Sequence, residues 1–293
     1  MTATPLEFVS LEPSRRCTKG CSFCYNGSNA ANTEAWPADE LRVLCMDLAA
    51  NGVRALSFGG GEPLEYPPMF ELLDALRGVV PRTLTTNGLP LERGSVFERL
   101  VRAAPEKVHV SIHAPENLRE VARVVDQVLA LRQAGLRSGV NFLVRGGHLD
   151  EATRAAAYLY HAGITPEQIT FLPMRGSPLA HENVTPKELA AVAQSAKFAS
   201  MTCLRGCEKS RRFASVAADK TVAWCSYTVT RAPLAAPSYA ALVAALAGRV
   251  APSPETDERA DALGDELGLR PCSEESLVVR RSPRRLPILP RGI

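Results

Sequence analysis

Three cysteines near the start of the chain form its most specific chemical pattern. Cys17, Cys21 and Cys24 have the spacing C-x3-C-x2-C and follow an apolar run over residues 6–11. Disulfide bonds would leave one of the three unpaired, and structural zinc usually takes four closed ligands. Iron–sulfur clusters accept cysteine runs of this kind, and three ligands leave one iron of a four-iron cluster open to a group that is not protein. The spacing therefore favours an iron–sulfur cluster with an open iron.

The residues around these cysteines suit such a cluster. Lys19 and Arg16 would offset its negative charge, Gly20 lets the loop turn, and Phe23 would shield it from water. With Phe23 included, the pattern C-x3-C-x-aromatic-C resembles the signature of radical S-adenosylmethionine (radical SAM) enzymes. The resemblance implies that the three cysteines hold a [4Fe-4S] cluster whose open iron binds S-adenosylmethionine (SAM). A zinc knuckle and three unrelated thiols are the alternatives.

Length and composition are typical of a globular enzyme. The 293 residues are 46% apolar and 22% charged, which suffices for a barrel-sized domain and a small appendage. The formal net charge of +3 gives no strong field for nucleic acid or an anionic membrane. Residues 1–12 lack a signal-peptide pattern and no run is long enough to span a bilayer, so a cytoplasmic location is expected. In that compartment, eight cysteines point to metal binding rather than to disulfides.

Strand-like and helix-like segments alternate along the first part of the chain. Strands are predicted over 6–11, 55–58, 82–86, 107–112, 138–144 and 168–172. Helices are predicted over 38–51, 69–77, 96–103, 118–134 and 151–162. These β/α units predict an α/β fold in which a parallel sheet with right-handed crossovers forms a partial (β/α)6 barrel, similar to a TIM barrel. Active groups in such barrels lie at the carboxyl ends of the strands.

Two glycine-containing motifs follow the second and third predicted strands. The second strand ends in GGGEP, which matches the GGEP motif of radical SAM enzymes. By resemblance, Gly60, Gly61 and Glu62 should hold the methionyl amino group of SAM. The third strand ends in TTNG, which is similar to a TNG element that lies near the cofactor in that family, so Thr86 and Asn87 are candidate cofactor contacts. A purely structural Asn-Gly turn is the alternative for this second motif.

The fourth predicted strand ends in Ser111, Ile112 and His113. A period of two places Ser111 and His113 on one face and the apolar Val110 and Ile112 on the other. Relatives often have Ser-x-Asp here, with the serine near the ribose or carboxylate of SAM. His113 departs from that pattern, and cofactor contact, proton transfer with substrate and a satisfied core histidine are all compatible with it.

The fifth and sixth predicted strands contribute four further candidates. Asn141 lies within an apolar run, where the family places a ribose-binding Asn or Ser, although a structural amide is the alternative. Arg145 would pair with the methionyl carboxylate or be a solvated residue at the strand end. By resemblance, the segment with Met174 packs against adenine. Arg175 faces either cofactor or substrate, and it is with His113 a candidate catalytic residue.

The resemblance to the barrel ends near residue 176, and a second module is expected after it. The predicted domains are the barrel over 1–183, an auxiliary module over 184–275 and a tail rich in Arg and Pro over 276–293. Thr185 and Glu188 form a capping-box pattern that predicts a helix start. The run over 213–225 predicts a β-hairpin with Asp219 and Lys220 in its turn, and 239–247 predicts a helix.

Four cysteines of the second module are candidate ligands of another metal centre. The layout resembles the twitch and SPASM-like modules of radical SAM enzymes, in which cysteines flank a small hairpin. That resemblance implies a second [4Fe-4S] cluster, whose ligands would be Cys203, Cys207, Cys225 and Cys272. Zinc in the same site, or one bystander among the four, is the alternative. Cys45, inside a predicted helix, is expected to be buried packing.

The two predicted clusters together imply a reaction. By resemblance, SAM would be cleaved to methionine and a 5'-deoxyadenosyl radical that takes a hydrogen atom from the substrate, with flavodoxin or ferredoxin as reductant. A second cluster favours a net two-electron oxidation, of an alcohol on a small molecule or of a peptide. The cysteine motif starts at residue 17, so a leader-binding domain before it is not expected, which tilts the expectation modestly to a small molecule; a separate leader-binding partner is the alternative. A redox-neutral epimerase or rearrangement enzyme, with a cysteine as hydrogen donor, and an iron–sulfur or zinc sensor are the rivals.

Overall fold

The structure, a computed structural model, describes residues 6–174, 180–194, 199–200, 212–228 and 230–249. Four predicted site residues lie outside these ranges, namely Arg175, Cys203, Cys207 and Cys272. The predicted tail over 276–293 also lies outside them. Among the described residues, no helix combines the length and the apolar composition that crossing a membrane requires.

Ten strands of the described chain form one sheet. They are β1 (Phe8–Leu11), β2 (Ala55–Phe58), β3 (Arg82–Thr86), β4 (Lys107–Ile112), β5 (Ser138–Val144), β6 (Ile169–Pro173), β7 (Ala199–Ser200), β8 (Phe213–Val216), β9 (Thr221–Ala223) and β10 (Ala232–Pro233). Their order in the sheet is β10-β9-β8-β1-β2-β3-β4-β5-β6-β7. The α-helices in the same ranges are α1 (Ala38–Ala50), α2 (Met69–Ala75), α3 (Gly94–Ala103), α4 (Leu118–Gln133), α5 (Leu149–His161), α6 (Pro186–Ala193) and α7 (Tyr239–Leu246).

The first six strands confirm the predicted α/β fold. Strands β1 to β6 are parallel, each beside the next strand in sequence, with helices α1 to α5 in the connections. The bounds of β2 to β5 are those predicted, whereas the helix ends differ from the prediction by one or two residues. Because the strands are parallel, their carboxyl ends meet at one edge of the sheet, where the predicted motifs lie.

The two faces of β4 show how the barrel is built. Val108, Val110 and Ile112 are completely buried and belong to the hydrophobic core with residues of α4. His109 and Ser111 alternate with them, so they lie on the opposite face, as the period of two predicts. The face of the sheet away from the helices therefore carries polar side chains.

Local hydrogen bonds define where two of the helices begin. The Asn117 side chain accepts hydrogen bonds from the backbone N–H groups of Arg119 and Glu120, at 3.1 and 3.3 Å, which fixes the first turn of α4. At α6, Thr185 and Glu188 form the predicted capping box. The first of these caps matters for the site because it places Glu120 beside the end of β4.

The predicted hairpin is present as β8 and β9, which are antiparallel. Strand β8 also pairs in parallel with β1, with Phe8 opposite Phe213. The indole N–H of Trp36 donates a hydrogen bond of 2.9 Å to the carbonyl oxygen of Ala217, just after β8. The sheet thus continues across the predicted boundary at residues 183 and 184, and the predicted domain limits remain a prediction.

Candidate active site

The three N-terminal cysteines lie in a loop that leaves the carboxyl end of β1. Cys17, Cys21 and Cys24 are all partly buried. The backbone N–H of Cys17 donates to the carbonyl oxygen of Asn29 at 3.1 Å, and that of Cys24 donates to the carbonyl oxygen of Cys21 at the same distance. We call residues 17–24 the cluster loop. Its backbone is held by its own turn and by the following segment.

The thiols of the cluster loop interact with one another electrostatically. Burial raises the pKa of Cys21 to about 11; the Lys19 ammonium opposes that rise, and Cys17 and Cys24 add to it. Burial also raises the pKa of Cys17, against backbone N–H groups that lower it. Iron binds thiolates, so cluster assembly must release these protons, and the charge of the metal supplies the driving force.

The donor set of the cluster loop is compatible with an iron–sulfur cluster. Its three partly buried thiols share one loop. In a four-iron cluster each cysteine binds a different iron, so three cysteines leave the fourth iron open.

The glycines after β2 let the GGEP turn pack against the segment between β1 and the cluster loop. Gly60 has φ +95°, and a Cβ there would lie 2.6 Å from the Cβ of Glu12. A Cβ on Gly61 would lie 2.3 Å from the carbonyl oxygen of Arg16. That same carbonyl oxygen accepts a 2.8 Å hydrogen bond from the backbone N–H of Glu62. Only glycine permits backbone to approach backbone this closely.

Glu62 links the GGEP turn to the TTNG turn. Its carboxylate accepts hydrogen bonds of 2.7 Å from the Thr86 hydroxyl and of 2.7 Å from the backbone N–H of Asn87, and one of 3.1 Å from the backbone N–H of Leu64. Burial raises the pKa of Glu62 to about 7, although these donors oppose the rise. The carboxylate is therefore a buried junction between two strand ends.

Asn87 extends that junction to the cluster loop. Its side-chain Nδ2 donates to Sγ of Cys17 at 3.5 Å, and its Oδ1 accepts from the backbone N–H of Leu89 at 2.8 Å. A hydrogen-bond chain thus runs from Glu62 through Asn87 to Cys17. Donors to cluster sulfurs stabilise their negative charge.

The end of β4 meets the cluster loop through a residue that the sequence reasoning missed. Lys19 Nζ donates to Glu120 at 2.6 Å, and Glu120 also accepts a 2.6 Å hydrogen bond from the backbone N–H of His113. Lys19 was predicted to offset cluster charge, and the structure shows that Glu120 compensates it. In the sequence, Asn117 and Glu120 indicate only the start of a helix, so a contact of Glu120 with the cluster loop could not be predicted from them.

The predicted candidates of β4 occupy the expected face. Ser111 is buried, and the ring of His113 has Nδ1 at 3.8 Å from Glu120. Burial lowers the pKa of His113 to about 4, aided by Lys19 and opposed by Glu120. His113 is therefore neutral at physiological pH, and its role stays a prediction.

Asn141 is hydrogen-bonded on both sides in the structure. His109 Nδ1 lies 2.7 Å from its Oδ1, and its Nδ2 donates to the Thr85 hydroxyl at 3.3 Å. Burial lowers the pKa of His109 to about 3, so this imidazole is neutral and can donate from Nδ1. His109 was not predicted as a site residue, although its place two residues before Ser111 on the same face could have indicated it.

Arg145 lies at the end of β5 among groups of the site. It forms ion pairs with Glu116 and, at 3.8 Å, with Glu182, and its guanidinium lies 5.2 Å from the ring centre of Phe23 in the cluster loop. Met174 is buried, and its backbone N–H donates to the carbonyl oxygen of Val144 at 2.8 Å. The predicted contacts of Arg145 and Met174 with the cofactor stay predictions.

Cys225 is the one cysteine of the predicted second cluster within the described residues. Its Sγ accepts a 3.5 Å hydrogen bond from the backbone N–H of Tyr227. The ring of Tyr227 lies 4.7 Å, centre to centre, from that of Tyr25, which directly follows Cys24. The segments that directly follow Cys24 and Cys225 are thus in contact. Cys45 is completely buried in α1, as predicted.

The fold and the cluster loop define a radical SAM protein, and the family comparison agrees. Residues 11–184, more than half of the chain, match the Radical SAM superfamily. The chain belongs to that superfamily. Membership implies a [4Fe-4S] cluster and SAM as cofactors.

Curated relatives share part of their length with this chain. A GTP 3',8-cyclase of Rhizobium etli (strain CIAT 652) is 27% identical over 183 residues, which cover 57% of this chain and 52% of the relative. A GTP 3',8-cyclase of Rhodopseudomonas palustris (strain TIE-1) is 28% identical over 186 residues, 58% of this chain and 54% of the relative. The chain spans about half the length of these relatives.

Solved structures share the fold at low sequence identity. Streptococcus suis SuiB bound to the precursor peptide SuiA has a TM-score of 0.61 and 16% identity, over 76% of this chain and 60% of that one. Native anSMEcpe with bound SAM and the Kp18Cys peptide has a TM-score of 0.61 and 15% identity, over 94% of this chain and 84% of that one. The likeness shows a common architecture.

Proposed function

We propose that the chain is a radical SAM enzyme whose [4Fe-4S] cluster is held by Cys17, Cys21 and Cys24. The hydrogen-bond chain from Glu62 through Asn87 to Cys17 carries this proposal, because it joins three separate motifs at one edge of the sheet. When bound, the reduced cluster and SAM supply a 5'-deoxyadenosyl radical that removes a hydrogen atom from the substrate. The protein positions both cofactors and excludes water.

The strand ends would hold SAM by its amino group, carboxylate, ribose and adenine. Gly60, Gly61 and Glu62 would receive the amino group, since they form a close backbone turn with a carboxylate. The other predicted contacts lie at the ends of neighbouring strands. Arg145 would bind the carboxylate, Ser111 the carboxylate or the ribose, Asn141 the ribose and Met174 the adenine. Thr86 and Asn87 would lie near the cofactor. Arg145 forms ion pairs with Glu116 and Glu182 in the structure. When SAM binds, the SAM carboxylate would replace a protein carboxylate as its partner.

The favoured reaction is a two-electron oxidation of a small molecule, of the alcohol dehydrogenation type. A second [4Fe-4S] centre at Cys203, Cys207, Cys225 and Cys272 would suit the removal of a second electron. The contact between Tyr25 and Tyr227 supports this proposal, because it brings the segment after Cys225 against the residue that directly follows the cluster loop. An external one-electron donor such as flavodoxin or ferredoxin would serve as reductant.

Modification of a peptide is the second candidate. SuiB is similar in fold and was solved with a precursor peptide, and anSMEcpe was solved with a peptide as well. A redox-neutral reaction is a third candidate, since the relatives matched in sequence are named as cyclases of GTP. Both oxidations would use a second cluster as electron acceptor, whereas a redox-neutral reaction would not need one for that purpose.

Iron and sulfide analysis with Mössbauer spectroscopy on anaerobically reconstituted protein tests these proposals. Wild type is compared with a Cys17→Ala/Cys21→Ala/Cys24→Ala variant, and Cys45→Ala serves as a control in a cysteine outside both sets. We expect about eight irons per wild-type chain, about four in the triple variant and no change in the control. Only the triple variant should lose reductive cleavage of SAM.

Other outcomes would redirect the proposal. About four irons in wild type and none in the triple variant would refute the second cluster and favour redox-neutral chemistry. SAM that stays intact under a strong reductant would refute the radical enzyme itself. Full iron content in the triple variant would show that these cysteines are not ligands.

A further inference from the structure

Lys19 and Glu120 form a nearly buried ion pair beside the cluster loop. Lys19 lies between Cys17 and Cys21 in sequence, and its ammonium donates to Glu120 Oε2 at 2.6 Å. The two side chains are only 13% and 8% exposed, so salt and water screen their charges less than they screen charges at the surface. The positive charge in the cluster loop is thus compensated from α4.

The Glu120 carboxylate is held independently of Lys19. Its Oε1 accepts hydrogen bonds from the backbone N–H groups of His113 and Ala114, at 2.6 and 3.4 Å. The cap formed by Asn117 fixes the helix turn that carries it. Substituting Lys19 therefore removes one stabilising partner of the carboxylate and leaves the backbone amides, which hold the carboxylate in place and favour its charged form.

We propose that Lys19 and Glu120 set the reduction potential of the cluster in the cluster loop, with Glu120 lowering that potential. This inference rests on the proposed cluster site. Reduction adds one negative charge to a cluster, so a nearby positive charge favours it and a nearby negative charge opposes it. The ion pair lets Lys19 anchor the cluster loop to α4, while the negative charge of Glu120 cancels the rise in reduction potential that the lysine alone would cause.

Anaerobic redox titrations followed by electron paramagnetic resonance test the proposal on the reconstituted full-length protein. In Glu120→Gln, the amide carbonyl can still accept from His113 while the negative charge is gone, so the potential should rise. In Lys19→Met, the carboxylate is left uncompensated, so the potential should fall. The double variant should return toward wild type, and Lys19→Arg should stay near it because the charge is kept.

A matched control removes the same charge far from the loop. Glu71 pairs with Arg99 between α2 and α3, with side chains 66% and 44% exposed. Glu71→Gln should leave the potential unchanged, because water and salt screen an exposed charge. Iron content and the thermal midpoint of each variant separate a loss of charge from a loss of structure.

Opposite shifts in the two single variants, each larger than that of Glu71→Gln, support the inference. Shifts of the potential in the same direction, or no shift larger than that of Glu71→Gln, overturn the inference. The proposed function stands in that case if the wild-type protein cleaves SAM. Wild-type protein that assembles no cluster overturns both.

Discussion

The GGEP turn at the carboxyl edge of the barrel and the outer side of the β8–β9 hairpin are held in place by different kinds of contact. At the barrel edge, backbone touches backbone, as where Gly61 lies against the carbonyl of Arg16. The hairpin pairs with β1 through its backbone, but on its outer side the Arg231 side chain donates to the carbonyl oxygens of Ser215 and Thr221. Backbone atoms cannot move away from an added group by changing a rotamer, whereas a long side chain can. A substitution in the first region is therefore expected to cause a large loss of stability and activity, and one in the second region a smaller loss.

Gly61→Ala should have the largest effect at the barrel edge. The added methyl group would meet the Arg16 carbonyl oxygen at 2.3 Å, so the GGEP turn must move away from the cluster loop. We expect a loss of about 1–3 kcal/mol in the free energy of unfolding and loss of SAM cleavage. Iron analysis, denaturant titration and 5'-deoxyadenosine yield measure these effects. Gly59→Ala is the control, since nothing lies within 4 Å of a Cβ there.

Glu62 predicts a pH dependence of stability in the metal-free protein. Its carboxyl keeps a proton up to about pH 7 when folded but has a usual pKa of 4.5, so between these values the folded state binds more protons. Stability should therefore fall as the pH rises from 4.5 to 7, by at most about 3 kcal/mol. Denaturant titrations from pH 5 to 8 measure the slope. Glu62→Gln should flatten it, and an equal slope in that variant would contradict the assignment.

Arg231→Met should have the smallest of the three effects, on the hairpin side. The guanidinium donates hydrogen bonds of 3.0 and 3.1 Å to the carbonyl oxygens of Ser215 and Thr221. Their loss should lower the free energy of unfolding by about 1–2 kcal/mol. Iron bound by the cluster loop should remain. Arg249→Met, at an exposed position after α7, should change neither value, and loss of loop iron in Arg231→Met would show that the two regions fail together.

Local patterns were enough to predict the barrel and most of its motifs. Strands β2 to β5 were predicted at their exact bounds, because each is a short β-rich run followed by a turn motif. The meeting of Glu62, Thr86 and Asn87 followed from the parallel order of the strands. The arrangement within the site could be expected from the sequence wherever one strand end adjoins the next.

Contacts between distant segments could not be predicted in this way. Lys19 and Glu120 are 101 positions apart, and neither has a pattern that names its partner. Strand β8 pairs in parallel with β1 across some two hundred residues, whereas a hairpin by itself predicts only its own antiparallel pair. Such contacts depend on the assembled sheet, which no short window of sequence contains.

The position of β1 inside the sheet has a consequence for biosynthesis. Strand β1 is made first, yet its two neighbours are β2 and β8, and β8 is completed only at Val216. During synthesis from the N-terminus, the three cysteines after β1 therefore emerge long before their supporting strand is paired on both sides. The strand that carries the cluster loop can therefore take its final place in the sheet only after residue 216 has been synthesised.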